Sequence, residues 1–281
     1  MEALARTVTR QGALFRPKHF RITDPALVRR HIEQNSFGTL FTTYARKGDE
    51  EGSYCSPRVD VSHLPFIGVF DDATGELTKL RAHLAAGNPQ FRSLRRIAEA
   101  QRERLEALEA DQKSGVDSTG AAAGREKALD VAEVVVVFQG IHTYVSASWY
   151  SEDAEKRANS VPTWDYETVH VRCSGVTIEE EEAAQVDLLK ALSDHNEEGL
   201  ADQREMHGYE QWRVEAADKE MMEAEMKRIR FFSLDVRKVE AKFKLHQNHQ
   251  EDTRSRTVAA LHQLDPTSGA VADSIVRHTP K

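Results

Sequence analysis

Only two cysteines occur in 281 residues, Cys55 and Cys173, and they lie far apart without C-x-x-C spacing. No disulfide framework can be built on them, so a reducing compartment, cytoplasmic or nuclear, is the expectation. Long apolar runs are missing too: nothing approaches the roughly 20 residues that a membrane-spanning helix needs, so no membrane partner is expected. The opening M-E-A-L-A-R-T-V-T-R-Q-G has an early acid and no apolar segment, so no secretory leader is expected. Positive charge is in deficit, with 38 Lys and Arg against 46 Asp and Glu and a formal net charge of -8. Broad phosphate contact is made by Lys and Arg, so this balance weighs against a large nucleic-acid footprint. Two local clusters, Arg16 to Arg30 and Lys227 to Lys238, read more readily as solvated faces than as a DNA-binding surface. There is no Walker loop, no G-x-G-x-x-G, no H-E-x-x-H and no G-x-S-x-G.

What is present alternates between strand-like and helical stretches. Residues 1–14 carry no pattern and are expected to form a mobile arm. Asp24-Pro25 marks a helix start, an N-cap followed by proline in the first turn. F-G-T-L-F-T-T-Y at Phe37–Tyr44 is rich in β-branched and aromatic residues and predicts a strand. A second strand is expected over Arg58–Val69, with Pro65 as an edge, bulge or strand end because proline cannot donate to a ladder. With a third at Leu77–Leu84, the three suggest an antiparallel meander. A long helix from about Pro89 carries a narrow stripe, Leu94, Ile97, Leu105 and Leu108, amid Arg and Glu. Its stretch at about 89–112 is a candidate contact for a protein partner. Ser114–Gly124 is a small-residue linker. Ala132–Phe138 returns to strand, with His142–Ser146 as its hairpin partner. Glu167–Ile178 is a further strand, with Thr177 as N-cap of a helix over Glu179–Asn196. Asp218–Arg230 is helical, Phe231–Leu245 a last strand, Glu251–Leu264 a terminal helix and 265–281 a polar tail. The fold class is α+β.

Ile141 to Tyr166 concentrates the chemistry. Tyr144, Ser146, Ser148, Trp149, Tyr150, Thr163, Trp164 and Tyr166 bring two of the three tryptophans beside hydroxyl groups. Aromatic planes with hydroxyl donors suit a flat, polar-edged ligand or a subunit contact equally. His63 sits beside the break at Pro65, where a loop carbonyl would satisfy it as readily as a ligand. The turn from His83 to Asn88 leads into a helix, so its free backbone N–H groups and Gly87 could receive an anion; Asn88 as a simple helix cap is the more economical reading. Lys244, His246, Gln247, Asn248 and His249 form another polar cluster, without the third and fourth ligands that a structural zinc site requires.

These segments, in order, resemble the PaiB family of the FMN-binding split-barrel superfamily. The pieces are P-K-H-F at Pro17–Phe20, F-G-T-L at Phe37–Leu40, S-H-L-P-F at Ser62–Phe66 and H-L-A-A-G-N-P-Q-F at His83–Phe91. Then come Y-V-S-A-S-W-Y at Tyr144–Tyr150, V-P-T-W-D-Y at Val161–Tyr166 and K-L-H-Q-N at Lys244–Asn248. The resemblance implies a six-stranded antiparallel split β-barrel with flanking helices, spanning 15–264 and interrupted by an inserted helix and linker at about 93–130. It also implies a homodimer with FMN as cofactor. Ser62, His63, Leu64, Pro65, His83 and Asn88 would hold it from one chain. Ser146, Ser148, Trp149, Pro162, Thr163, Trp164, Lys244, Gln247 and Asn248 would come from the partner chain. Redox activity or a regulatory role in transcription would follow. Three positions depart from the family's usual residues: Ala86 for arginine, Phe91 for tryptophan and His246 for serine. A related split-barrel group binds and degrades heme through a histidine near the C-terminus, which makes His246 and His249 the candidate metal ligands under a heme alternative.

Overall fold

The computed structural model describes residues 13–44, 58–114 and 133–278, with side chains up to 106 in the second stretch. The expected arm, the linker after Ser114 and Cys55 fall wholly or mostly outside those residues.

Eight strands form one sheet: β1 (Arg21–Ile22), β2 (Phe37–Tyr44), β3 (Arg58–Pro65), β4 (Ile67–Phe70), β5 (Leu77–Ala85), β6 (Glu133–Val145), β7 (Thr163–Glu179) and β8 (Ile229–Lys244). Their order is β3-β2-β6-β7-β8-β5-β4, with β1 paired to β8. The β1–β8, β2–β3, β2–β6, β4–β5 and β5–β8 pairs are all antiparallel. Among the described residues the sheet has eight strands where six were expected, and the class is α+β. Eight helices accompany the sheet: α1 (Pro25–Gln34), α2 (Pro89–Ser114), α3 (Ala154–Ala158), α4 (Glu182–Glu198), α5 (Ala201–His207), α6 (Lys219–Met226), α7 (Glu251–Leu261) and α8 (Pro266–His278).

Several expectations change on physical grounds. The meander is broken, because β3 pairs with β2 while β4 pairs with β5. Pro65 ends β3, and the next amide, Phe66 N–H, leaves the ladder to donate to Ser36 O at 2.9 Å. β6 runs straight through Gly140, so His142–Ser146 continues the strand and forms no hairpin. The N-cap of α4 is Glu181, not Thr177, because β7 extends to Glu179. Between the helices expected over Glu179–Asn196 and Asp218–Arg230 lies a further one, α5, closed by Gly208 at φ 70°. The polar tail is helix α8, whose Val271, Ala272 and Ile275 are buried.

The chain divides into two units. The first comprises Met1–Gln34, Phe138–His170 and Val239–Lys281. Its core joins Phe243 and Leu245 of the β8 end to Leu261 of α7 and Val271, Ala272 and Ile275 of α8, with Ile141 and Trp149 packed against it. The second comprises Asn35–Val137 and Val171–Lys238, and contains a cluster of Leu188 and Leu192 from α4 against Phe231. In α2, Leu94 and Ile97 are buried but Leu105 is exposed, as a stripe that serves only the first turns of a helix requires.

Candidate functional site

In the second unit, β3 and the turn after β5 bring Ser62 and Asn88 together: Asn88 Nδ2 donates to Ser62 Oγ at 2.9 Å. Asn88 Oδ1 accepts from Gln90 N at 2.9 Å, the capping bond that starts α2. The turn's own amides are also used, Ala86 N–H by Arg228 O and Asn88 N–H by Ala85 O. A side chain at Gly87 would meet nothing within 4 Å, so close approach does not demand glycine there. Next along this unit, His63 is exposed, shares a hydrogen bond with Thr39 Oγ1 at 3.0 Å and stacks on Phe37. Leu64 is buried and Pro65 half-buried. His83 lies against Phe231 on the neighbouring strand, its Nδ1 enclosed and unpartnered, and burial lowers its pKa. Cys173 is buried, which pushes its thiol up to about 12 and leaves it inert as a nucleophile at neutral pH.

The first unit gathers most of the other predicted residues. Trp164 is 52 % exposed, with His142 and Tyr144 beside it at ring-centroid distances of 5.6 and 6.3 Å. Lys244 donates to Thr163 Oγ1 and, at 2.7 Å, to the Trp164 carbonyl, which ties the end of β8 to the start of β7. Burial lowers the Lys244 pKa, against the opposing pull of Asp165. Ser146 and Ser148 bond to each other at 2.7 Å. Trp149 packs on the core and offers less open surface than its sequence neighbourhood implies. Gln247 closes the strand end like a piece of backbone: Oε1 accepts from Leu245 N and Nε2 donates to Phe243 O. Asn248 is exposed.

One constellation escapes sequence reasoning. Asp165 is fully buried and bonds through Oδ2 to His246 Nδ1, 81 residues on. His246 is the non-glycine residue with positive φ, 61°, among the described residues. An L-residue there costs roughly 1–2 kcal/mol, so the surroundings must hold it in place. Tyr150 meets both histidines, with ring centroids 5.5 Å from His246 and 5.2 Å from His249. The two imidazoles stack at 4.5 Å. Burial raises the Tyr150 pKa and lowers that of His249. Tyr150, Asp165, Lys244, His246 and His249 line one cavity of about 880 Å³, together with Pro162, Thr163 and Asn248. The available signal was the alternation of β7: Asp165 has the inward phase of Val169, Val171 and Cys173, an unusual place for an acid. Among the described residues, no group of three or more His, Cys, Asp or Glu is arranged to hold a metal ion. No described helix is long and apolar enough to cross a membrane.

The family model described as "Putative FMN-binding domain" matches residues 14–238. The chain belongs to this family. It is 26% identical over 263 residues to protease synthase and sporulation protein PAI 2 of Bacillus subtilis, covering 92% of this chain and 95% of that protein. An uncharacterised protein of Emericella nidulans is also 26% identical over 263 residues, covering 90% of this chain and 92% of its own. Among solved structures, a protein of Bacteroides thetaiotaomicron described as a "putative 5-nitroimidazole antibiotic resistance protein" aligns over 79% of this chain and 85% of its own. Its 13% identity and TM-score of 0.39 transfer neither fold nor function.

Proposed function

We propose that this chain is a flavin-binding protein of the PaiB type, with FMN bound to a split-barrel homodimer and contacted by both copies. The observation that carries this reading is the family match over 14–238. The chemistry of the described residues fits the two halves of FMN. An exposed indole at Trp164, edged by His142 and Tyr144, offers an aromatic face to the isoalloxazine ring. The phosphate would lack a guanidinium at Ala86, whose amide already donates to the Arg228 carbonyl oxygen at 2.7 Å. Lys227, Arg230 and Phe91 line a cavity of about 740 Å³ in the same unit. Arg95, Lys227 and Arg230 are the cations of that lining, beside Glu179, Glu180, Glu182 and Glu223.

Bound FMN supplies electron transfer, and the protein supplies binding and position. Lys244 does so indirectly, by holding Thr163 and the Trp164 carbonyl and so fixing the indole's orientation. A redox role suits these features better than transcriptional regulation by direct DNA contact, since the net charge is -8. The family match over 14–238 speaks for FMN and not for heme.

Quenching of FMN fluorescence on titration with the full-length protein tests the reading. Saturable quenching is expected, weakened at least tenfold in Trp164→Ala and in Lys227→Glu. No quenching by the unmodified protein at micromolar concentrations would overturn it.

A further inference from the structure

Tyr150 Oη, Asp165 Oδ1 and His246 Nε2, side-chain atoms of the first unit, are enclosed and have no hydrogen-bond partner. Their residues line the same cavity of about 880 Å³. Buried polar groups are nearly always paired, so three orphans around one space point to something that belongs there. Their chemistry narrows what it is. With Nδ1 bonded to Asp165, Nε2 is the ring atom of His246 that has no partner. Asp165 Oδ1 is an acceptor only, and the Tyr150 hydroxyl can donate or accept. One fixed acceptor and two groups, Tyr150 Oη and His246 Nε2, that can take either role are all satisfied by a donor-rich occupant.

Charge narrows it further. The lining carries Asp153, Glu155, Asp165 and Asp252 against Lys156 and Lys244, four acids to two bases. Lys244 does not meet the need itself, since its ammonium is held by Thr163 and the Trp164 carbonyl. The Tyr150 ring adds an aromatic face of the kind that attracts cations. The left-handed backbone at His246, φ 61°, is the kind of local strain that persists where a side chain must be aimed.

We propose that this cavity binds an organic ammonium ion, a protonated primary amine whose N–H groups are shared among Asp165 Oδ1, His246 Nε2 and Tyr150 Oη. The three contacting residues are not among those that the family resemblance assigns to FMN, although Pro162, Thr163, Lys244 and Asn248 of the same lining are. The ammonium could belong to a small free amine or to a lysine side chain of a polypeptide.

The test is calorimetric titration of the flavin-free full-length protein at pH 7 with n-butylammonium chloride. The imidazole nitrogen resonances of His246 are followed in parallel. Saturable binding is expected, with a shift at His246 Nε2. Tetramethylammonium, which has the charge but no N–H, should bind at least tenfold more weakly. Tyr150→Phe and Asp165→Asn should each weaken butylammonium binding about tenfold or more. Tyr150→Phe removes a single oxygen and keeps the test valid if the aspartate variant fails to fold. Nα-acetyl-lysine methylamide separates the sources: tighter binding than butylammonium identifies a polypeptide lysine, weaker binding a free amine. Equal affinity for tetramethylammonium, unchanged affinity in Tyr150→Phe, or no saturable binding, which would leave ordered water alone in the cavity, overturns the proposal. Because the titration contains no FMN, its failure leaves the flavin reading standing, and absence of FMN quenching leaves this one standing.

Discussion

Asp165 and Glu167 are successive inward-facing positions on β7, and each stands against a buried histidine, yet the two pairs are finished differently. Around Glu167 the network closes. His31 faces its Oε2 at 3.4 Å and shares a hydrogen bond with Phe138 O at 3.2 Å. Ser274 of α8 donates to Oε1 and is itself within 3.2 Å of His278 Nδ1. Around Asp165 the network is open, with an unpartnered atom on the acid, on His246 and on Tyr150. The same residue types on the same strand thus do two jobs. The closed pair fastens α1 and α8 to β7; the open one leaves unsatisfied groups around a cavity. Fully satisfied polar networks stabilise and specify, while partly satisfied ones mark function.

The largest expected effect breaks the closed network. Glu167→Leu leaves His31 and the Ser274 hydroxyl buried without their acceptor. Removing one partner of such a buried pair costs about 3–5 kcal/mol. Urea unfolding monitored by tryptophan fluorescence reads this directly; a loss under about 1 kcal/mol would mean that the network does not fasten the helices. The same group sets an acid limit. Burial alone would raise the Glu167 pKa, but hydrogen bonds from His31 and Ser274 and the nearby His31 and His278 charges reverse this and hold it below its ordinary 4.5. A depressed carboxylate stabilises the fold above its unfolded pKa, and that contribution is lost as pH falls through the folded value. The unmodified protein should therefore lose stability more steeply than Glu167→Gln below about pH 4.5. Parallel slopes in denaturant midpoints across that range would contradict the assignment.

A smaller effect concerns the space that His31 occupies. A Cβ on Gly140 would lie 2.5 Å from His31 Cε1 and 3.2 Å from Glu167 Cβ. Gly140→Ala should destabilise by about 1–3 kcal/mol, the usual penalty of overpacking. In the double variant with His31→Ala the two losses should not add, because the clash disappears with the ring. Additive losses would place the cost elsewhere.

Gly140 also shows why parts of the fold were legible and others were not. Local signals succeeded where local chemistry decides. Asp24-Pro25 starts α1 with Asp24 Oδ1 accepting from Ala26 N at 2.9 Å, and the β-branched run at Phe37–Tyr44 is β2. The hairpin expected after Phe138 is absent, and Gly140 is glycine because a histidine more than a hundred positions earlier lies against it. Helix α8 read as a tail because its serines look like surface residues. They are buried because Ser268 is bonded to Asp265 and paired with Thr143, and Ser274 to Glu167. The aromatic stretch Ile141–Tyr166 was legible as a candidate site, but the sorting of Trp164 to the surface and Tyr150 to the interior depends on packing. The Asp165–His246 pair depends on two strand ends meeting, which no spacing in the chain announces.

The smallest expected effect is the most discriminating. The Tyr150 hydroxyl is buried and unpartnered, so in the absence of a ligand it is a liability, and an unsatisfied buried hydroxyl costs about 1–3 kcal/mol. Tyr150→Phe keeps the ring against His246 and His249 and removes only the oxygen. Its thermal midpoint should therefore equal or slightly exceed that of the unmodified protein. Ser274→Ala, which removes a hydroxyl of the same kind from the closed network, should lower the midpoint by the equivalent of about 1 kcal/mol. Opposite signs for two hydroxyl deletions in one unit would confirm that one network is built for stability and the other held open. If Tyr150→Phe also loses stability, its oxygen already has a partner within the fold, and the contrast between the two acids on β7 disappears.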